Sequence, residues 1–279
     1  MTRRFAALTL LASAGLALAG CSSAAPSAQS VTGAMPDDAK AMSSASTGGA
    51  TLAGGEKVSL DVFAAASLTE SFGVLEKSFE KAHPNVDVVL NLAGSQDLVS
   101  QLAEGAPVDV LATANESTMA KAADQGLVGE QTLFASNTLV LITAPGNPLG
   151  LTGLDSSLEK ANLVLCAPEV PCGKLTKKLA EALGATLHPV SEEQAVTDVR
   201  GKVASGEADA GVVYKTDAIA EGDAVQTVEI PGSDKAVNRY PIARTANAKN
   251  ADAADAWIEL VLSAEGRKAL GDAGFTPAR

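Results

Sequence analysis

The run Val58-Ser59-Leu60-Asp61-Val62-Phe63 reads as a strand, and it ends at a serine that opens a helix. Beyond Phe63-Ala64-Ala65-Ala66-Ser67-Leu68-Thr69, apolar residues fall at Leu68, Phe72, Leu75 and Phe79, the spacing of one buried helical face. The first N–H groups of such a helix lack partners, and its aligned peptide dipoles favour negative charge, so the junction forms a socket for an anion. The arrangement recurs: Val86-Asp87-Val88-Val89-Leu90-Asn91-Leu92 leads through Ala93-Gly94 to Ser95, with Leu98, Val99 and Leu102 following at helical spacing. A serine at one such junction more often only caps its helix, for about 1 kcal/mol. Two in one chain favour the socket.

The alternation continues down the chain. Strands are expected near 58–63, 86–92, 108–113, 138–144, 161–166, 185–190, 210–215, 225–230 and 240–245. Helices are expected near 68–82, 96–104, 116–125, 174–183, 193–205 and 251–271. This is an α/β pattern with mostly parallel strands and covering helices. There is no internal repeat. Thr138–Ala144 and Tyr240–Arg244 are candidates for crossings between two lobes, which periodicity alone does not establish.

Residues 1–20 read as a signal peptide, with Arg3 and Arg4 before an apolar stretch, Phe5 to Ala19, too short for a membrane span. Leu18-Ala19-Gly20-Cys21 resembles the lipobox of bacterial lipoproteins, which implies acylation of Cys21 and a membrane anchor. Residues 21–56, rich in Ser, Ala, Gly and Thr, read as a disordered tether spanning roughly 30–35 Å. The chain would then work on the extracytoplasmic face of the cell membrane.

The 33 Asp+Glu against 21 Lys+Arg argue against a nucleic-acid partner, which needs a basic footprint. An anionic ligand must therefore be caught by local dipoles, against the long-range field. Outside the cytoplasm, Cys166 and Cys172 are expected to form a disulfide. Neither His83 nor His188 has a ligand-like spacing to them, so no bare metal ion is expected.

Five blocks, in order, look like the molybdate-binding component of bacterial ABC importers. They are Phe63-Ala64-Ala65-Ala66-Ser67-Leu68-Thr69, Glu104-Gly105-Ala106-Pro107-Val108-Asp109-Val110, Val170-Pro171-Cys172-Gly173, Asp198-Val199-Arg200 and Gly211-Val212-Val213-Tyr214. The resemblance runs from Val58 to Gly274-Phe275-Thr276. It implies a class II periplasmic-binding-protein fold: two α/β lobes joined by two crossover strands, with the ligand in the cleft. Lobe 1 would comprise 57–138 and 239–279, and lobe 2 would comprise 139–238.

The resemblance also implies a ligand set for molybdate or tungstate: hydroxyl and N–H from Ser67 and Ser95, backbone N–H from Cys172 and Val199, and the phenol of Tyr214. Cys172 stands where many relatives have alanine, which costs nothing if only its N–H is used. On their own residues two of these positions read differently. Ala195, Val199 and Val203 repeat at i, i+4 and i+8, the spacing of a buried helical face, and Tyr214 ends a buried-strand pattern in which tyrosine is usually core. The resemblance assigns both to the site.

The chemistry is consistent with that set. Molybdate is an unprotonated tetrahedral dianion, so all four oxygens accept and a matching site offers only donors. Phosphate retains a proton near neutral pH and would call for an acceptor. Sulfate, or another tetrahedral oxyanion, is the alternative ligand, distinguished by size. The implied partner is an ABC permease, and the soluble part is expected to be a monomer. An enzyme is not expected: Ser78-Phe79-Glu80-Lys81 and Ser157-Leu158-Glu159-Lys160 match a Ser-x-x-Lys pattern but lack its companion motifs. A scaffold or adhesion domain would leave the serine sockets without a ligand.

Overall fold

The computed structural model describes residues 57–278. The signal peptide, Cys21 and the tether fall outside the described residues. The chain folds as β1 (Val58–Ala65), α1 (Thr69–Ala82), β2 (Val86–Ala93), α2 (Ser95–Ala103), β3 (Val110–Ala112), α3 (Glu116–Asp124) and β4 (Val128–Thr143). Next come β5 (Leu163–Cys166), α4 (Pro171–Leu183), β6 (Ser191–Glu193), α5 (Val196–Ala204), β7 (Ala210–Tyr214), α6 (Lys215–Glu221) and β8 (Gln226–Val228). β9 (Val237–Thr245), α7 (Ala251–Leu262), α8 (Ala264–Asp272) and β10 (Thr276–Pro277) close the chain.

The strand order is β2-β1-β3-β9-β4-β7-β5-β6, with β8 and β10 also paired to β4. β1 runs parallel to β2 and β3, and β5 runs parallel to β6 and β7. β9 and β4 are antiparallel inserts. β4 joins the two halves. It pairs with β9 up to Thr138 and with β7 from Leu139 onward. β9 returns the chain to the first half. The molecule is thus two α/β halves connected by two strands, the class II periplasmic-binding-protein arrangement.

Each half has its own core. In the first, Leu60, Val62 and Ala64 of β1 face α1 and α7, meeting Phe72, Leu75 and Trp257, all fully buried. Phe63 faces the opposite side, with Leu98 of α2 and Met119 of α3. This is the alternation a strand imposes. In the second half, Leu139 to Ile142 of β4 pack with Leu163, Val164, Val212 and Val213 under Leu175 and Leu179 of α4 and Val199 and Val203 of α5. Gly211 allows α5 to come close: a Cβ there would lie 2.8 Å from Val199 Cγ1.

The elements depart from expectation in several places, the short β10 (Thr276–Pro277) among them. β4 begins ten residues earlier than 138, because its first part is exposed and polar and carries no apolar alternation. Residues 185–190 form no strand; the three-residue β6 follows them. The helix expected over 251–271 breaks at Ser263, which caps α8 by accepting the Gly266 N–H at 3.1 Å. α6 is a short helix not expected from the pattern.

Candidate functional site

Where the halves meet, a small cavity of ≈ 20 Å³ is lined by Ala65, Ala66, Ser67, Ala93, Gly94, Ser95, Ala114, Val170, Pro171, Cys172, Val196 and Tyr214. A single water needs about 10–15 Å³ on this measure, so the space suits a guest of a few atoms rather than a sugar or a peptide. The lining comes from helix starts. Ser67 lies in the turn that leads into α1, Ser95 is the first residue of α2, Cys172 the second of α4, and Val196 the first of α5. Tyr214 is the residue before α6. The opening N–H groups of an α-helix lack i−4 acceptors and its dipole presents a positive end there, so such starts suit an anion.

The hydroxyls are set up to donate. Ser95 Oγ accepts the Ala114 N–H at 3.0 Å, which leaves its own proton free. Tyr214 Oη accepts from Asn238 Nδ2 at 2.5 Å, and the same amide donates to the Pro171 carbonyl at 3.1 Å, which fixes it. Ser67 Oγ lies 2.9 Å from Tyr240 Oη. When Tyr240 donates, the Ser67 proton is also left for the cavity. Burial, reinforced by each other's proximity for Tyr214, holds the Tyr214 phenol well above its ordinary pKa; burial raises Tyr240 too, so both stay protonated. Among the described residues, none of those lining the cavity is an Asp, Glu, Lys, Arg or His.

Of the residues predicted from sequence, the structure brings together Ser67, Ser95, Cys172 and Tyr214. Cys172 is joined by a disulfide to Cys166 at the end of β5, with Cα atoms 5.8 Å apart. Val199 is elsewhere. It is the fourth residue of α5, fully buried against Gly211 in the second core, and Val196 takes the place at the cavity. The reason is helical geometry: only first-turn N–H groups are free, and α5 opens at Val196 because Ala195 is still extended (φ −135°, ψ 148°). Sequence reasoning also missed Asn238, Tyr240 and Gly94. Tyr240 and Asn238 lie on the return strand β9 and bond to residues far away in sequence, which no local pattern reveals.

Contacts between the halves surround the cavity. Gln96 Nε2 donates to the Gln194 carbonyl at 3.0 Å, Asn137 Nδ2 donates to Thr216 Oγ1 at 2.9 Å, and Arg200 pairs with Glu70 at 3.1 Å. A Cβ on Gly94 would lie 2.3 Å from the Gln194 carbonyl oxygen, so glycine lets the halves close there. Behind Tyr214, Asp217 is buried, and its Oδ2 accepts the Tyr214 N–H at 3.1 Å.

The family model described as "Bacterial extracellular solute-binding protein" matches residues 60–276. The chain belongs to this family. It is a family of binding proteins and not of enzymes. The chain is 41% identical over 219 residues to the molybdate-binding protein ModA of Mycobacterium tuberculosis, an alignment covering 78% of this chain and 84% of that protein. Among solved structures, the periplasmic molybdate-binding protein of Azotobacter vinelandii matches with a TM-score of 0.71 at 20% identity, over 79% of this chain and 100% of that one. The sulfate-binding protein SubI of Mycobacterium tuberculosis matches with a TM-score of 0.67 at 21% identity, over 79% and 87%. At those identities the two structures speak for the fold alone. Among the described residues, no helix is long and apolar enough to cross a membrane.

Proposed function

We propose that this protein captures molybdate, and tungstate with it, on the extracytoplasmic face of the cell membrane and delivers it to an ABC permease. The observation that carries the reading is the donor-only cavity. Three buried hydroxyls, two of them fixed by bonds they accept from N–H groups, meet the starts of several helices with no carboxylate among them. A fully ionised tetrahedral oxyanion is the guest such a wall satisfies, and phosphate, which keeps a proton, would leave that proton without an acceptor. The relative's name supplies the particular ion. In this reading Ser67, Ser95 and Tyr214 donate through hydroxyls, and Cys172 and Val196 through backbone N–H, with Val196 in place of Val199.

The division of labour follows the fold. Lobe 1 (57–138 and 239–279) carries both serines, lobe 2 (139–238) carries Cys172, Val196 and Tyr214, and the ion bridges them. The closed form is the one the permease reads, since closure is driven by the ion's greater affinity for it. Acylated Cys21 would anchor the monomer through the tether of residues 21–56, and the Cys166–Cys172 bond would steady the loop that presents the Cys172 N–H.

Sulfate is the second reading, favoured by the same donor-only wall and by the fold shared with a sulfate-binding protein. Size separates the two. Donors placed for the larger ion leave sulfate unable to satisfy all of them, and each unmet buried donor costs about 1–3 kcal/mol, so two or three at the middle of that range cost at least about a hundredfold in affinity. Calorimetric titration of the full chain with molybdate, tungstate, sulfate and phosphate tests this. The expected order is molybdate and tungstate together, sulfate at least about a hundredfold weaker, and phosphate weakest. Equal affinity for sulfate and molybdate would refute the assignment.

A further inference from the structure

Arg200 lies outside the cavity wall, yet it touches the helix behind each of three cavity segments. It sits on α5 one turn beyond Val196. Its Nη1 and Nη2 both donate to Glu70 Oε1 at 3.1 Å, and Glu70 is the second residue of α1, three positions after Ser67. Its Nε lies 3.1 Å from Glu221 Oε1, on the last residue of α6, the helix that begins after Tyr214. The Arg200 side chain is only 15% exposed, against 40% for Glu70 and 23% for Glu221. The guanidinium's rigid fork thus ties two helices of the second half to one of the first.

The two ion pairs differ in kind. Arg200–Glu221 lies within one half, so parting the halves leaves it intact. Arg200–Glu70 joins one half to the other, so parting the halves would break it. An interaction present in one state alone shifts the equilibrium toward that state. We propose that the Arg200–Glu70 pair is a latch that holds the ligand-bearing form closed and slows release of the bound ion, with Arg200 as its positioning residue. This rests on the oxyanion reading of the cavity above.

A competing account gives Arg200 only a general electrostatic effect, in which its positive charge attracts the anion through space. The two accounts predict opposite signs at Glu70. Neutralising Glu70 removes a negative charge, so a field effect strengthens anion binding. Loss of a latch weakens it.

The test is a double-mutant cycle on the full chain with Arg200→Gln, Glu70→Gln and both together, titrated with molybdate and followed by stopped-flow dissociation. Each single variant is expected to raise Kd about three- to tenfold, mainly through faster dissociation, and the double variant to be little worse than Arg200→Gln. Unfolding of the ligand-free protein by urea is expected to show no coupling between the two sites, because the pair is absent from the open form. Tighter or unchanged binding by Glu70→Gln overturns the latch, as does strict additivity of the two effects on Kd. Equal coupling in ligand-free stability overturns it too, since the pair would then be an ordinary structural contact. The wild-type titration separates the two claims: failure of wild type to bind molybdate removes the assigned ligand, whereas normal wild-type binding without coupling removes only the latch.

Discussion

Asp217 gives this protein a pH-dependent stability of unusual sign for a carboxylate. It is buried behind Tyr214, where one carboxylate oxygen accepts the Tyr214 N–H at 3.1 Å and the other, Oδ1, has no hydrogen-bond partner. Burial pushes its pKa up to about 7, partly offset by Arg200 and the Tyr214 N–H, with Glu70 and Glu221 adding to the rise. A raised folded-state pKa means that the folded form holds the proton more tightly than the unfolded chain. The resulting stability is complete below the unfolded value near 4 and is lost as pH rises through 7. Three pKa units amount to about 4 kcal/mol in full, of which about 2.5 kcal/mol is lost between pH 5 and pH 8. Asp217→Asn keeps the shape and an acceptor for the Tyr214 N–H but removes the titration. Urea unfolding of both proteins at pH 5 and pH 8 measures the difference. Wild type is expected to lose about 1 M in midpoint from this group, while the variant's midpoint changes that much less. Using the change with pH cancels any fixed cost of the new amide. Parallel losses in the two proteins would refute the reasoning, because Asp217 would then ionise at the ordinary carboxylate pKa.

Ser67→Ala and Ser95→Ala are each expected to weaken oxyanion binding by about 10- to 100-fold in calorimetry, the worth of a hydrogen bond to a charged group. Neither serine caps its helix through its side chain, yet each substitution also costs about 1–3 kcal/mol of stability, since Ser95 Oγ satisfies the Ala114 N–H and Ser67 Oγ pairs with buried Tyr240. Gly94→Ala props the cleft against the Gln194 carbonyl, with the new Cβ 2.3 Å from that oxygen. Molybdate affinity is expected to fall at least about tenfold while ligand-free urea stability stays within about 0.5 kcal/mol of wild type, since each half folds without that contact.

The first half was largely legible because its signals are local. β1, β2, α1 and α2 show unbroken apolar periods, and Ser67 and Ser95 stand where those periods change from 2 to 3.6. Val199 shows the opposite case. Its i, i+4, i+8 companions marked it as core, and the structure places it in the core, while Val196 of the same helix lines the cavity. Helix geometry favours Val196 for such a position, because unpaired N–H groups belong to the first turn and Val199 is the fourth residue. Other features have no local signal at all. Tyr240 and Asn238 act on residues more than 20 positions away, and Gly94 matters only because residue 194 approaches it in three dimensions. The first part of β4 escaped notice because an exposed, polar strand pairs through its backbone and carries no apolar pattern.

The chain's acidic balance and its cavity chemistry bear on the same problem. A lysine or arginine in the wall would attract every dianion alike, and its flexible side chain would follow a small ion as readily as a large one. Neutral donors fixed to helix starts cannot follow. Ser95 is held by the Ala114 N–H, Tyr214 by Asn238, and Asn238 in turn by the Pro171 carbonyl, so moving one donor inward breaks a bond behind it. Rigidity of this kind turns a fraction of an ångström in ion radius into unmet hydrogen bonds, which is where discrimination between like-charged tetrahedra must come from. On the oxyanion reading, the net charge of −12 weakens long-range attraction for all dianions alike, which leaves the short-range fit to decide which one stays. A latch outside the wall is consistent with that separation, because Arg200 can lengthen residence without placing a positive charge where it would blur the choice.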